Sequence, residues 1–254
     1  MLEVRDLKKH FRSIPAVDGV SFTAPPGTVT GYLGPNGSGK STTVKIIAGL
    51  IERSDGDVLY QGRSVFSDIT RFQQRIGYVP EEPYLYSYLS GYEYLELVGC
   101  LRLVPGDRLR TKIERFLRLF GLWEDRFSPL SSYSKGMRQK VLLAAALLND
   151  PEVIILDEPF SGLDINSALA LRGLIRSLAE AGKVVLLSSH EMDAVEKVCS
   201  RVVILYQGKV VASDSVERLR ELMSLPTLEQ IFTQLALKSD PEVAARQLLE
   251  ASRL

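Results

Sequence analysis

The chain is poor in the residues that build most metal and redox sites. It has two cysteines, Cys100 and Cys199, and two histidines, His10 and His190. The cysteines lie far apart and fit no metal-ligand or dithiol spacing, which points to reduced thiols in a cytosolic setting. Net charge is also missing, with 31 basic residues against 31 acidic ones. That balance argues against a nucleic-acid partner, which selects a basic face. No apolar run is long enough to cross a bilayer. The longest uncharged one, Val141 to Leu148, has eight residues, where about twenty are needed. The N-terminus, Met1-Leu2-Glu3-Val4-Arg5-Asp6, has no apolar signal region. Any role at a membrane would therefore run through another protein.

What is present is enough for a sizeable core: 254 residues, 45% of them apolar. That length suits one large domain or two small ones. Residues 1–33 alternate and carry turn signals such as Pro25-Pro26-Gly27, so they read as short strands. A glycine-rich loop and an apolar helical stretch, Thr43 to Leu50, follow. "GDVLYQG" and "RIGYVP" are further strand candidates. From about Glu81 to Leu148 the pattern turns helical. Leu109, Ile113, Phe116, Leu117 and Phe120 fall on one helix face. Strands then return as Val153–Leu156, Val184–Leu187 and Val202–Leu205. These unbroken β-branched runs suit parallel strands covered on both faces. Helices are expected between them, from about Ser167 to Ala181 and Met192 to Cys199, as in repeated strand–helix–strand units. No internal repeat or low-complexity segment is visible. The expected fold is α/β: a mostly parallel core, an N-terminal antiparallel β subdomain and an inserted all-helical subdomain.

Two stretches carry phosphate chemistry. "GPNGSGKST", Gly34 to Thr42, fits G-x-x-x-x-G-K-[ST] and sits between a strand and a helix, the context the P-loop motif requires. Gly34, Gly37 and Gly39 let successive backbone N–H groups point into one concavity. The helix N-terminus adds about half a positive charge. Lys40 adds a full charge for the outer phosphates, and Ser41 a hydroxyl for Mg²⁺. Gly34, Asn36, Gly37, Ser38, Gly39, Lys40, Ser41 and Thr42 are the candidate nucleotide contacts. "VIILDEP" ends a buried strand in Asp157-Glu158. Asp157 suits Mg²⁺, directly or through water. Glu158 suits a general base for an attacking water. His190 follows another apolar strand, and ligands collect at the carboxyl ends of parallel strands, so it is placed to reach a γ-phosphate. His10 has no such context.

With these residues in order, the chain resembles the nucleotide-binding subunit of an ATP-binding-cassette transporter, from at least Leu2 to Val211. The family's signature, usually Leu-Ser-Gly-Gly-Gln, corresponds to Tyr133-Ser134-Lys135-Gly136-Met137. Ser161-Gly162-Leu163-Asp164 resembles the D-loop, and His190 the switch histidine. The resemblance implies an ATPase domain over residues 1–213, with the helical insert at about 81–150, and a helical tail over 214–254. It implies ATP and Mg²⁺, and two cassettes packed head to tail. Each ATP would lie on one subunit's phosphate loop, capped by Ser134 and Gly136 of the other, with Asp164 nearby. A two-fold arrangement uses both half-sites; Ser134 also suits an ordinary helix N-cap. Leu89-Ser90-Gly91 mimics the signature's start but lies too early. The Q-loop glutamine is replaced by Glu81, a candidate for the water or the metal that adds negative charge. The adenine-stacking aromatic is best matched by Phe11, with Val17 beside it.

The resemblance also implies a separate polytopic permease, docking near Glu81 to Tyr94, and a cytoplasmic place on the inner face of the cell membrane. Tyr78, Tyr84, Tyr86, Tyr88, Tyr92 and Tyr94 crowd this stretch. Tyrosine suits interfaces, and Tyr84, Tyr86 and Tyr88 are candidates for the permease groove; packing of the insert's own core is the alternative. The tail segment "TLEQIFTQLA" puts Leu228, Ile231, Phe232 and Leu235 on one stripe and resembles the ending of bacterial exporter cassettes. An importer cassette and a soluble accessory ATPase remain as other readings. One phosphate loop and no long heptad coil argue against translation-type and DNA-repair members.

Overall fold

The computed structural model describes residues 1–225 and 227–236, without the side chains of Leu235 and Ala236. Residues 226 and 237–254 of the expected tail lie outside the described residues, as does the side chain of Leu235 in its stripe. The chain opens with a long hairpin, β1 (Leu2–Phe11) and β2 (Ile14–Ala24), followed by β3 (Val29–Leu33). The first two strands are longer than the short strands expected; their pairing shifts register between Val4 and Leu7, Leu7 and Lys8, and Lys9 and His10, and resumes after each irregularity. α1 (Lys40–Ile47) starts three residues earlier than the apolar pattern suggested. β4 (Asp55–Tyr60), β5 (Arg63–Ser64), α2 (Ile69–Gln73) and β6 (Ile76–Val79) complete the first half.

The insert contains α3 (Gly91–Leu101), α4 (Gly106–Leu119) and α5 (Lys135–Leu147). Residues 81–90 are not helical, contrary to the sequence pattern. The reason lies at Ser90. Its hydroxyl accepts from Glu93 N–H while the Glu93 carboxylate accepts from Ser90 N–H, a reciprocal cap that starts α3 there. The second half runs β7 (Val153–Asp157), α6 (Ile165–Glu180), β8 (Val184–Ser189), α7 (Met192–Glu196), β9 (Arg201–Tyr206), β10 (Lys209–Ser215), α8 (Val216–Met223) and α9 (Leu228–Ala236).

Two sheets result. A four-stranded antiparallel sheet has the order β2-β1-β4-β5, and a six-stranded sheet the order β10-β9-β3-β8-β7-β6. In the larger sheet only the β9–β10 pair is antiparallel. Strand periodicity then divides the core. Ile155, Leu186 and Val203 face the antiparallel sheet and α1. Their neighbours Ile154, Leu156, Val185, Leu187 and Ile204 face α5, α6, α8 and α9. Both faces are dry, so the strands read as unbroken apolar runs. α5 serves two cores: Leu142, Leu143 and Ala146 face the sheet, while Val141, Ala144 and Ala145 face α3 and α4. Leu109, Ile113 and Leu117 are buried there, with Phe116 and Phe120 stacked at 6.1 Å beside them.

The tail helices are less polar in role than their composition suggests. Val216, Leu219, Leu228, Ile231 and Phe232 are all buried in the same core as the sheet. At about 25 cal/mol per Å² of apolar area, such burial makes α8 and α9 part of the folded body.

Candidate functional site

Strand register builds the site. Leu33 pairs with Ser189, and Asp157 pairs with Ser188. The parallel strands β3, β8 and β7 therefore end level with one another. The chain leaves them at Gly34, His190 and Glu158, so the phosphate loop, His190 and the acid pair meet at one edge. Sequence distance is over a hundred residues; the register removes it.

Lys40 is buried, and its Nζ donates to the carbonyls of Gly34 (2.7 Å) and Pro35 (3.2 Å). Burial pulls its pKa below the usual lysine range, opposed by the charges of Glu158, Asp157 and Glu81. Glu158 Oε1 lies 4.0 Å from Lys40 Nζ. The same oxygen meets His190 Nδ1 at 2.7 Å, and Oε2 accepts from Ser189 Oγ at 3.0 Å. Asp157 Oδ1 accepts from Ser188 Oγ. Ser188 and Ser189 are site residues that sequence reasoning passed over. Their signal was present: two polar residues that end an apolar strand one step before His190.

The phosphate loop is braced from behind. A Cβ on Gly34 would stand 2.4 Å from the Leu205 carbonyl oxygen, and one on Gly39 2.4 Å from that of Ala16. Gly39 has φ +101° and Gly37 φ +78°, angles that glycine adopts without strain. The Ser38 hydroxyl is buried and has no partner among the described residues. Thr43 Oγ1 accepts from Tyr32 O–H and donates to Gly39 O, which anchors the start of α1. Asn36 and His190 both line a cavity of about 690 Å³ shared with Glu229, Phe232 and Thr233 of α9.

These features fit a magnesium nucleotide. No group of three or more His, Cys, Asp or Glu side chains forms a metal cage among the described residues. Magnesium does not need one, since phosphate and water oxygens fill most of its shell. Ser41, at the head of α1, and Asp157 are the protein oxygens of the right kind, and the orphan Ser38 hydroxyl and the narrow glycine cradle suit phosphate oxygens.

Other expected residues are placed differently. Glu81 is exposed and has no hydrogen-bond partner among the described residues, yet its charge reaches Lys40 and Tyr78. The Tyr78 hydroxyl is buried without a partner among the described residues. Burial raises its pKa, and Asp157 and Glu81 add to the rise. Phe11 is 50% exposed at the hairpin tip, with Lys9 Nζ 5.1 Å over its ring. Val17 is corrected: its side chain is fully buried in the core under the antiparallel sheet, so it offers no surface to a base. Thr42 lies in α1, partly buried. Ser134 and Gly136 do not join this cluster. Ser134 Oγ caps α5 by accepting from Met137 N–H, and Gly136 lies against Gly162 and Leu163. Asp164 caps α6, accepting from the N–H and hydroxyl of Ser167, which hold its carboxyl below the usual range. Tyr84, Tyr86 and Tyr88 are 81%, 56% and 76% exposed, so they do not pack the insert's core.

A parallel sheet, a glycine loop opening a helix, a buried loop lysine and an acid at the end of β7, two strands along the sheet, define a nucleoside-triphosphate-binding protein of the P-loop class. Residues 17–161 match the ABC transporter family. The chain belongs to that family, among its ATP-binding ATPase subunits. It is 42% identical to an uncharacterized ABC transporter ATP-binding protein of Nostoc sp., over 84% of this chain and 66% of that one. This chain thus spans about two thirds of that relative's length. It is 34% identical to the lantibiotic transport ATP-binding protein SrtF of Streptococcus pyogenes, over 88% of this chain and 96% of SrtF. Among solved structures it is similar to the ATP-binding subunit of an ABC transporter, with TM-score 0.87, 32% identity and coverage of 92% and 99%. It is also similar to a dimeric ATP-binding cassette in a post-hydrolysis state with ADP and Pi, with TM-score 0.79, 25% identity and coverage of 85% and 99%.

Proposed function

We propose that this chain hydrolyses ATP as one half of a head-to-tail cassette dimer and drives a separate membrane permease, in an exporter. The observation that carries the reading is the Glu158 carboxylate, held by His190 and Ser189 beside Lys40 at the mouth of the phosphate loop. A water on the γ-phosphate loses its proton to Glu158 as its oxygen bonds phosphorus and the bond to the ADP oxygen breaks. His190 Nδ1–H donates to the carboxylate and holds its orientation. Lys40 and the loop N–H groups meet the charge that spreads over the phosphoryl oxygens. Bound Mg²⁺ would neutralise phosphate charge beside Ser41 and Asp157. Ser134 and the Gly136 backbone serve the partner's nucleotide, which accounts for their distance from this subunit's own loop, and Glu81 stands at the edge where the site meets the permease surface.

The exporter reading is supported by SrtF, whose name gives lantibiotic transport. The permease surface is supported by three exposed tyrosines on one non-helical stretch after Glu81, Tyr86 and Tyr88 lying 6.0 Å apart. No described helix is long and apolar enough to cross a membrane, so a place on the cytoplasmic face would come through the permease. Glu158→Gln tests the chemistry. It keeps the side chain's length and removes the base. The variant is expected to bind ATP, to turn over about 10²- to 10⁴-fold more slowly, and to form dimers with Mg²⁺-ATP but not with ADP. Wild-type turnover in Glu158→Gln would end the assignment.

A further inference from the structure

Lys135 stands where the signature's first glycine is usual, and the fold gives it a specific contact. Its Nζ donates to Ser161 Oγ at 3.1 Å. Its stem crosses Gly162 so closely that a Cβ there would lie 2.9 Å from Lys135 Cδ. The glycine absent from the signature is thus matched by a glycine present in the facing loop. Ser161 N–H in turn donates to the Glu158 carbonyl at 3.1 Å. A short path runs from the first turn of α5 through Lys135, Ser161 and the Glu158 backbone to the carboxylate that meets His190. The position of Lys135 is itself informative. It opens α5, where the helix dipole disfavours a cation, and the first turn of α5 has no acid to offset it. The contact with Ser161 supplies a reason for a lysine there that helix stability does not.

We propose that Lys135 is a positioning residue for Glu158. It pins the loop of residues 161–164 to the signature helix, so that movement of that helix is felt at this subunit's own base. The part of this inference that concerns two sites rests on the dimer reading above: α5 would respond to the partner's nucleotide, and Lys135 would carry that response across.

The test is a double-mutant cycle of K135A and S161A, with K135R as the conservative variant. Turnover, KM, the Hill coefficient for ATP and nucleotide affinity are measured on the full chain. K135A is expected to lower kcat by about tenfold, within the range a small misplacement of a catalytic group produces. Nucleotide affinity should stay unchanged, and the Hill coefficient should fall towards one. S161A should do the same, the double variant should be no worse than either, and K135R should recover most of the loss. A K135A enzyme with wild-type kcat would overturn the proposal. So would additive losses, because Lys135 would then act without Ser161. The cycle on kcat reads a contact within one chain. A wild type that shows no cooperativity and no ATP-dependent dimer therefore overturns the dimer reading alone, and the non-additivity still decides the pin.

Discussion

Three glycines of the phosphate loop separate two effects that usually come together, backbone strain and lack of space. At Gly37 a Cβ would meet nothing within 4 Å, but φ is +78°. Gly37→Ala therefore adds strain alone, about 1–2 kcal/mol for a left-handed residue. At Gly34 no positive φ is involved, yet a Cβ would stand 2.4 Å from Leu205 O and 2.6 Å from Ser38 Oγ. Gly34→Ala is a steric change, about 1–3 kcal/mol for an overpacked site. Gly39 combines φ +101° with a Cβ 2.4 Å from Ala16 O, a backbone atom of β2 that cannot swing away. Its alanine should cost the sum, about 2–5 kcal/mol. The free loop can relax, so much of this cost returns when nucleotide binding restores its shape. Affinity should then fall by about 5- to 30-fold for Gly37→Ala and by about 30-fold to several thousand-fold for Gly39→Ala, with Gly34→Ala between them. Fluorescent-nucleotide titration measures the series, and thermal melts confirm folding. A Gly37→Ala variant as weak as Gly39→Ala would refute the reasoning, because the brace from Ala16 would then contribute nothing.

Other consequences can be checked directly. Ile231, fully buried on α9, should cost about 2–5 kcal/mol on truncation to Ala, seen as a melting point lower by roughly 5–15 °C; Leu222→Ala, at a 68% exposed site on α8, should change it little. Tyr60 donates to Glu152 at 2.7 Å, and burial, with that carboxylate, pushes its pKa from 10.0 up to about 12. Its stabilisation is complete below pH 10 and lost as pH rises through 12, because only the folded state keeps the proton in that window. Urea titrations at several pH values should show wild type converging on Tyr60→Phe as pH passes from 10 to 12. Replacing Tyr84, Tyr86 and Tyr88 together by alanine should abolish co-purification with the permease and leave nucleotide affinity unchanged; undiminished co-purification would refute this docking surface.

Local chemistry explains what was legible in the sequence. The P-loop spacing, the acid pair and His190 each sit within a few residues of a strand end, so a short window holds both motif and context. The β-branched runs gave the parallel strands because both sheet faces are covered. What local windows lack is tertiary contact. Val17 stands near Phe11 in sequence, but strand alternation sends it inward while Phe11 stays at the tip. The helical reading of residues 81–90 failed because a reciprocal cap at Ser90 and Glu93 starts α3 later than periodicity suggests. The apolar stripe of the tail is legible from spacing, but nothing local says that the stripe meets the sheet, as Leu228, Ile231 and Phe232 do.

The acid pair shows how little distance separates two roles. Asp157 is the last residue of β7, and its side chain points, as strand periodicity requires, to the face that holds α1. A Glu158 that continued the strand would point to the opposite face, among α5 and α6, away from Lys40. It does not continue. Its φ is +47°, a left-handed backbone that glutamate rarely adopts. That turn brings Oε1 to 4.0 Å from Lys40 and 2.7 Å from His190. The backbone is fixed in it by two bonds, Glu158 N–H to Ser188 O and Ser161 N–H to Glu158 O. Strain of this size, about 1–3 kcal/mol, persists only where the surroundings hold it, and it collects at functional sites. In the mechanism proposed above, it lets two adjacent carboxylates take different parts, Asp157 facing the helix that carries Ser41 and Glu158 turned to Lys40 and His190. A glycine at position 158 would relieve the strain and remove the carboxylate with it, so the residue that bears the strain is also the one that uses it.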